Sequence, residues 1–124
     1  MGKMVIKTTK TGFKFDLKAS NGQIIASSQV YKGLPSCKKG AASVLANAPA
    51  AAVEDQTVEG FVKEKNPKFE LYTDKAGEFR FRLKAKNGQI IAVSEGYTTM
   101  AKCKNGVKSV KKNAEDSPII IEAE

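Results

Sequence analysis

A chain of 124 residues, 41% of them apolar, has room for one ordinary domain or two very small units. Units of roughly 60 residues are marginal alone, because they bury only about 60% of their unfolded surface. Two cysteines, Cys37 and Cys103, are too few for a disulfide-rich secreted scaffold, the lack of histidine removes the commonest general base and metal ligand, and a net charge of +8 favours contact with polyanions.

No apolar run reaches signal-peptide or membrane-spanning length, so a soluble, cytoplasmic protein is the expectation. The chain opens with a short strand around Met4, Val5 and Ile6 and turns at Lys10-Thr-Gly12. Phe13-Lys-Phe-Asp-Leu-Lys-Ala then alternates apolar with polar residues, as a half-buried strand does. Asn21-Gly22 suits a two-residue type I′ hairpin turn, whose two central residues both need positive φ. That turn sets Ala19 opposite Ile24, Leu17 opposite Ala26, Phe15 opposite Ser28 and Phe13 opposite Val30, with one face apolar. Lys14 and Gln29 pair on the other face. Ser28 falls on the apolar face, where its hydroxyl needs a partner that the sequence does not name.

After Tyr31 a helix begins, with Pro35 in its first turn. Cys37, Ala41, Val44, Leu45 and Ala48 form its apolar stripe. Gly40, mid-helix, costs about 1 kcal/mol relative to alanine and signals close packing of helix on sheet. Asn47 can close the helix. Ala52 to Val58 is a weak strand, and a charged linker from Glu59 to Lys68 follows, anchored by Phe61 and Val62.

The pattern then recurs. Positions 13–48 and 79–114, aligned at an offset of 66, share 20 identities in 36 positions, where chance gives about two, so the chain is an internal duplication. Residues 1–58 hold repeat 1 and residues 59–124 repeat 2, fused in one structural unit. Phe69-Glu-Leu-Tyr-Thr is the opening strand of repeat 2. Its hairpin turns at Asn87-Gly88, with Ala85 facing Ile90, Leu83 facing Ala92, Phe81 facing Ser94, Phe79 facing Gly96 and Arg80 facing Glu95. Thr98 or Thr99 caps a second helix with a Met100, Cys103, Val107, Val110 seam, Gly106 in mid-course and Asn113 near its end. Pro118-Ile-Ile-Ile-Glu closes the chain as a strand fit for burial.

The residues Phe79-Arg-Phe-Arg-Leu-Lys-Ala, Asn87-Gly88, Ser94 with Tyr97, and Gly106-Val-Lys-Ser-Val-Lys-Lys-Asn113 resemble the YegP-like family. Repeat 1 carries the same marks in Phe13, Phe15, Asn21-Gly22, Ser28, Tyr31, Gly40, Ser43, Val44 and Asn47, and departs from them at Met4 to Lys7. The resemblance covers nearly the whole chain in tandem form. It implies an α+β fold in which a β3-αβ motif, used twice, builds one antiparallel sheet and exchanges its C-terminal strands. That agrees with the count of strands and helices above. The family carries no established activity, so the resemblance implies no catalytic residues.

Chemistry-bearing constellations are sparse. Cys37 and Cys103 share a helix position and read as small buried hydrophobes; a redox pair is the alternative. Asp16 and Glu95 lie on outer faces of different repeats. No catalytic residue, metal site or cofactor is indicated. The second helix places Lys104, Lys108, Lys111 and Lys112 within roughly a 100° arc, with Lys38 the repeat-1 counterpart of Lys104. Lys14, Lys18, Arg80, Arg82 and Lys84 add charge on the exposed sheet face. The expectation is therefore a small non-enzymatic binding or accessory protein, monomeric through its internal pseudo-two-fold symmetry. The alternative is a weak, sequence-nonspecific binder of nucleic acid or another polyanion. With every phenylalanine of the hairpins turned inward, that face lacks the aromatic platform of single-strand binders.

Overall fold

In the computed structural model, which describes residues 2–115 and 117–122, each repeat contributes three antiparallel strands, a helix and a final strand. Repeat 1 supplies β1 (Lys3–Thr8), β2 (Phe13–Lys18), β3 (Ile24–Ser27), α1 (Leu34–Asn47) and β4 (Ala52–Asp55). Repeat 2 supplies β5 (Lys68–Thr73), β6 (Phe79–Lys84), β7 (Ile90–Val93), α2 (Met100–Ala114) and β8 (Ile119–Glu122). All eight strands join one sheet in the order β4-β5-β6-β7-β3-β2-β1-β8. The final strands are exchanged: β4 of repeat 1 lies on β5 of repeat 2, and β8 of repeat 2 lies on β1 of repeat 1. The six inner strands are antiparallel, but both exchanged pairs are parallel, so the sheet is mixed rather than wholly antiparallel. The linker explains the sense of the β4–β5 pair. Sequential strands that pair in parallel need a crossover of about a dozen residues, and residues 56–67 supply it.

Both hairpins turn differently from a type I′ turn. No non-glycine residue among those described has positive φ, while Gly22 has φ 86° and Gly88 φ 83°. The Gly22 N–H donates to the Ala19 carbonyl at 2.9 Å, and the Ala19 N–H to Gln23 at 2.9 Å. Ser20 and Asn21 thus occupy a type I turn, and Gly22 alone takes the left-handed position that follows it. Asn21 contributes its side chain, accepting the Gln23 N–H at 3.0 Å; Asn87 does the same for Gln89. The longer turn shifts the register. Leu17 faces Ala26 as expected, but Lys18 faces Ile24, with a bulge between. Ile24 and Ile90 are therefore exposed, while Ile25 and Ile91 enter the core.

A second irregularity settles Ser28 and Ser94. Phe13 and Phe79 bridge to Tyr31 and Tyr97, one residue beyond the simple register. The serines fill the interruption: Ser28 Oγ accepts the Phe15 N–H at 2.9 Å and donates to the Gln29 carbonyl at 2.7 Å, and Ser94 repeats this with Phe81 and Glu95. Each hydroxyl stands in for a missing ladder rung.

Both helices cover one face of the sheet and straddle the seam between the repeats. α1 touches β1, β2 and β7, and α2 touches β2, β3 and β6. The seam needs this support, because β3 and β7 pair only at Ser27 and Val93. Met4, Ile6, Phe15, Leu17, Phe69, Leu71, Phe81 and Leu83 meet Cys37, Val44, Cys103, Val107 and Val110 in the core. Gly40 and Gly106 mark the closest approach. A Cβ at Gly106 would lie 2.9 Å from Tyr97 Cζ and 3.0 Å from Phe81 Cε2; at Gly40 it would meet Tyr31 and Phe15 in the same way. The two tyrosines stack on the two phenylalanines with centroids 6.2 and 6.3 Å apart.

Thr99 caps α2, accepting the Lys102 N–H. Asn47 and Asn113 do not close the helices as left-handed caps: both stay helical, the C-cap positions fall to Ala48 and Glu115, and the asparagine amides donate back one turn to the Ser43 and Ser109 carbonyls at 2.8 Å. Two further expectations fail. Ile119, Ile120 and Ile121 are exposed, because β8 is an edge strand. Phe61 and Val62 are also exposed. The linker is held instead by the Glu64 N–H, which donates to Glu54 Oε1 at 2.7 Å.

Candidate functional site

Of the cations named from the sequence, the seven on the α2 arc and on β6 divide by what they touch. On the uncovered sheet face, Arg80 Nε lies 2.7 Å from Asp74 Oδ2, and its Nη1 donates to the Ser94 carbonyl at 3.1 Å. This replaces the expected pairing with Glu95. Arg82 Nε donates to Glu70 Oε1 at 2.6 Å while its guanidinium lies over the Tyr72 ring, and Lys84 Nζ is 3.2 Å from Glu70 Oε2. Those three cations are thus committed to carboxylates.

Strand exchange builds that network. The β4–β5–β6 register sets Glu54 beside Glu70, and Glu70 beside Arg82. Lys68 Nζ then bridges Glu54 at 2.8 Å and Glu70 at 3.4 Å. All three are buried. Burial alone would raise the Glu54 carboxyl, but the Lys68 ammonium, the Gln56 amide and the Glu64 N–H outweigh it and hold it at about 2. Burial likewise opposes ionisation of Glu70, and Arg82 and Lys84 overcome it. At the other end Asp16 is buried beneath Lys7, 2.7 Å away, and Ser27, whose hydroxyl donates to it at 2.6 Å. Its carboxyl is also held low despite burial. These acids are structural anions. Nothing in the local sequence signals the Glu54–Lys68–Glu70 group, because Glu54 reaches the other two only through the exchanged strand.

The helix layer is different. α1 and α2 carry seven lysines and no acidic residue. Lys104 reaches Asp55 at 3.8 Å, at the end of β4. Lys111 Nζ donates to the Ala51 carbonyl at 2.7 Å and lies 5.9 Å from the Phe69 ring centroid, tying α2 to the exit of repeat 1. Lys108 and Lys112 make no hydrogen bond or ion pair among the described residues, and both line one groove against the β2–β3 turn. The structure thus separates these seven into five engaged cations and two unengaged ones.

Cys37 and Cys103 are fully buried and free. Burial raises both thiols, Cys103 to about 11 with Asp55 adding to the effect, which disfavours the reactive thiolate. No helix among the described residues is long and apolar enough to cross a membrane.

An exchanged tandem β3-αβ sheet with a basic helix layer defines the class of protein. Residues 9–55 and 74–120 each match the family model described as a domain of unknown function, DUF1508, and the chain belongs to that family. It is 40% identical over 114 residues to the UPF0339 protein YegP of Yersinia pestis, spanning 91% of this chain and 88% of that one. It is 71% identical over 48 residues to a UPF0339 protein in the ptx operon 5′ region of Stutzerimonas stutzeri, covering 39% of this chain and 43% of that protein. Its fold matches the solution structure of yegP from Escherichia coli, a protein of unknown function, with a TM-score of 0.80 and 32% identity across 98% of this chain and 93% of that one.

Proposed function

We propose that this is a non-enzymatic binding protein that takes polyanions through its helix layer. One observation carries the reading: α1 and α2 hold seven lysines and no acid, whereas the sheet face balances its cations against buried carboxylates. A surface whose cations outnumber their local partners attracts a polyanion over about a Debye length. The sheet-face cations Arg80, Arg82 and Lys84 leave the proposed site, because binding there would have to displace Glu70 or Asp74. Lys108 and Lys112 remain; Lys104 joins them because its ammonium is exposed and only loosely paired with Asp55 at 3.8 Å, and Lys111 contributes charge while held to Ala51. The non-enzymatic reading is supported by the ionised, paired state of the buried acids and by the raised thiols. A single chain suffices, since the strand exchange a second copy could supply is internal.

Retention on immobilised heparin and duplex DNA at low salt is the test. Neutralising about three phosphates gives a log–log salt slope near −3. Lys104→Glu, Lys108→Glu and Lys112→Glu together should abolish retention with the fold intact. Retention unchanged by that triple variant overturns the reading.

A further inference from the structure

We propose that the groove between α2 and the β2–β3 turn is a binding site for a sugar phosphate, with Lys108 and Lys112 taking the phosphate. This rests on the polyanion reading and narrows it to one place and one chemistry.

The groove has a volume of about 590 Å³, within the range of small-ligand sites. Lys108 and Lys112 stand one helical turn apart, close enough to share one anion. Of the seven cations on the α2 arc and β6, they are the two with no hydrogen bond or ion pair among the described residues. Asn105 and Ser109 lie on the same wall, and Ser20 and Asn21 form the facing one. Ser109 Oγ already accepts the Asn113 amide at 3.2 Å, so its own O–H is free to donate. Glu115 closes the far end. A carboxylate there repels a second phosphate but accepts hydroxyl donors, the complement of a sugar. The carbonyl end of α2 acts in the same direction, which seats the phosphate towards Lys108. No aromatic side chain lines the groove, so it offers nothing for a base to stack on. The chemistry recognised is the sugar phosphate, whether free or in a nucleic-acid backbone.

The duplication supplies an internal comparison. The equivalent groove, between α1 and the β6–β7 turn, has a volume of about 520 Å³ and keeps Ser43, Asn47 and Asn87. Where α2 has Lys108 and Lys112, α1 has Ala42 and Ala46. The shape persists in both copies while the paired lysines stand in one, so the scaffold does not require them.

The test is an amide chemical-shift titration of the full chain at constant ionic strength with ribose 5-phosphate, ribose, and a single-stranded oligonucleotide. Ribose 5-phosphate should move Ser20, Asn21, Asn105 and Ser109 saturably and leave Ser43, Lys86 and Asn87 unmoved; ribose should move none. Lys108→Ala with Lys112→Ala should weaken binding at least tenfold, and Lys104→Ala less than twofold. Ala42→Lys with Ala46→Lys should bring Ser43 and Asn87 into response. Shifts at the same amides from the oligonucleotide alone support the groove and assign the phosphate to a nucleic-acid backbone. Shifts spread over both helices, with Lys104→Ala as harmful as the groove pair, overturn the groove while leaving the polyanion reading standing. No shift with any probe, together with no heparin retention, overturns both.

Discussion

Acid should unfold this protein partly through Glu54. Its ordinary value is 4.5, and in the folded protein it sits at about 2. A carboxyl held low in the native state contributes stability that is complete above its unfolded value and is lost as pH falls towards the folded one. The full gap corresponds to roughly 3 kcal/mol, of which about 2 is gone by pH 3. Water at the sheet edge screens part of the Lys68 pair, which sets a lower bound of about 1 kcal/mol. Glu54→Gln keeps an oxygen for Lys68 and for the Glu64 N–H while removing the charge. Urea unfolding at pH 6 and pH 3 reads the effect. The native chain should lose more stability between the two pH values than the variant, by about 1–2 kcal/mol, and the variant should be the less stable at pH 6. Equal losses in both proteins would refute the assignment of Glu54 as an ionised partner of Lys68.

Three further outcomes follow from the packing. Gly106→Ala, ordinarily worth about 1 kcal/mol of helix propensity, should instead destabilise by about 1–2 kcal/mol as Tyr97 and Phe81 are pushed aside, measured as a lower urea midpoint; Gly40→Ala should match it. Ser94→Ala leaves the buried Phe81 N–H without its acceptor and should cost about 1–3 kcal/mol, with faster hydrogen exchange at that amide. Deleting residues 117–124 removes the strand paired to β1 and the Pro118 carbonyl that accepts the Met4 N–H at 2.9 Å. Amide protection should then fall in β1 of repeat 1 as well as in α2, and protection that survives in β1 would argue against interdependent repeats.

What could be read from the chain was local. The duplication, the hairpins, the helix seams and the inward phenylalanines all follow from residues within a few positions of one another. The turn type did not, because Asn-Gly serves either a two-residue turn or a type I turn followed by a left-handed glycine, and only the second leaves asparagine at negative φ. That one-residue difference put Ile24 outside and Ile25 inside. The serine rungs were visible as an anomaly but not as a solution, since their partner is the strand's own backbone at a bulge. Of the candidate site, the lysine arc on α2 was legible from helical periodicity. Which lysines are engaged was not, because Asp55 and Ala51 of repeat 1 reach Lys104 and Lys111 through contacts between the repeats.

The exchange of final strands has a consequence for how the two copies have diverged. β1 and β8 meet as Met4–Ile119, Val5–Ile120 and Ile6–Ile121, an aliphatic pairing. β5 and β4 meet with Glu54 beside Glu70 and with Lys68 opposite Ala52, an ionic one. Each edge is consistent within itself, and each combines segments from different repeats. The units that have specialised are therefore the two ends of the sheet, not the two copies in the sequence. A chain made of repeat 1 twice would set Glu54 against Val5, with Lys3 in the place of Lys68 but the acid Asp16 in the place of Arg82. Though alike in shape, the repeats are no longer interchangeable parts.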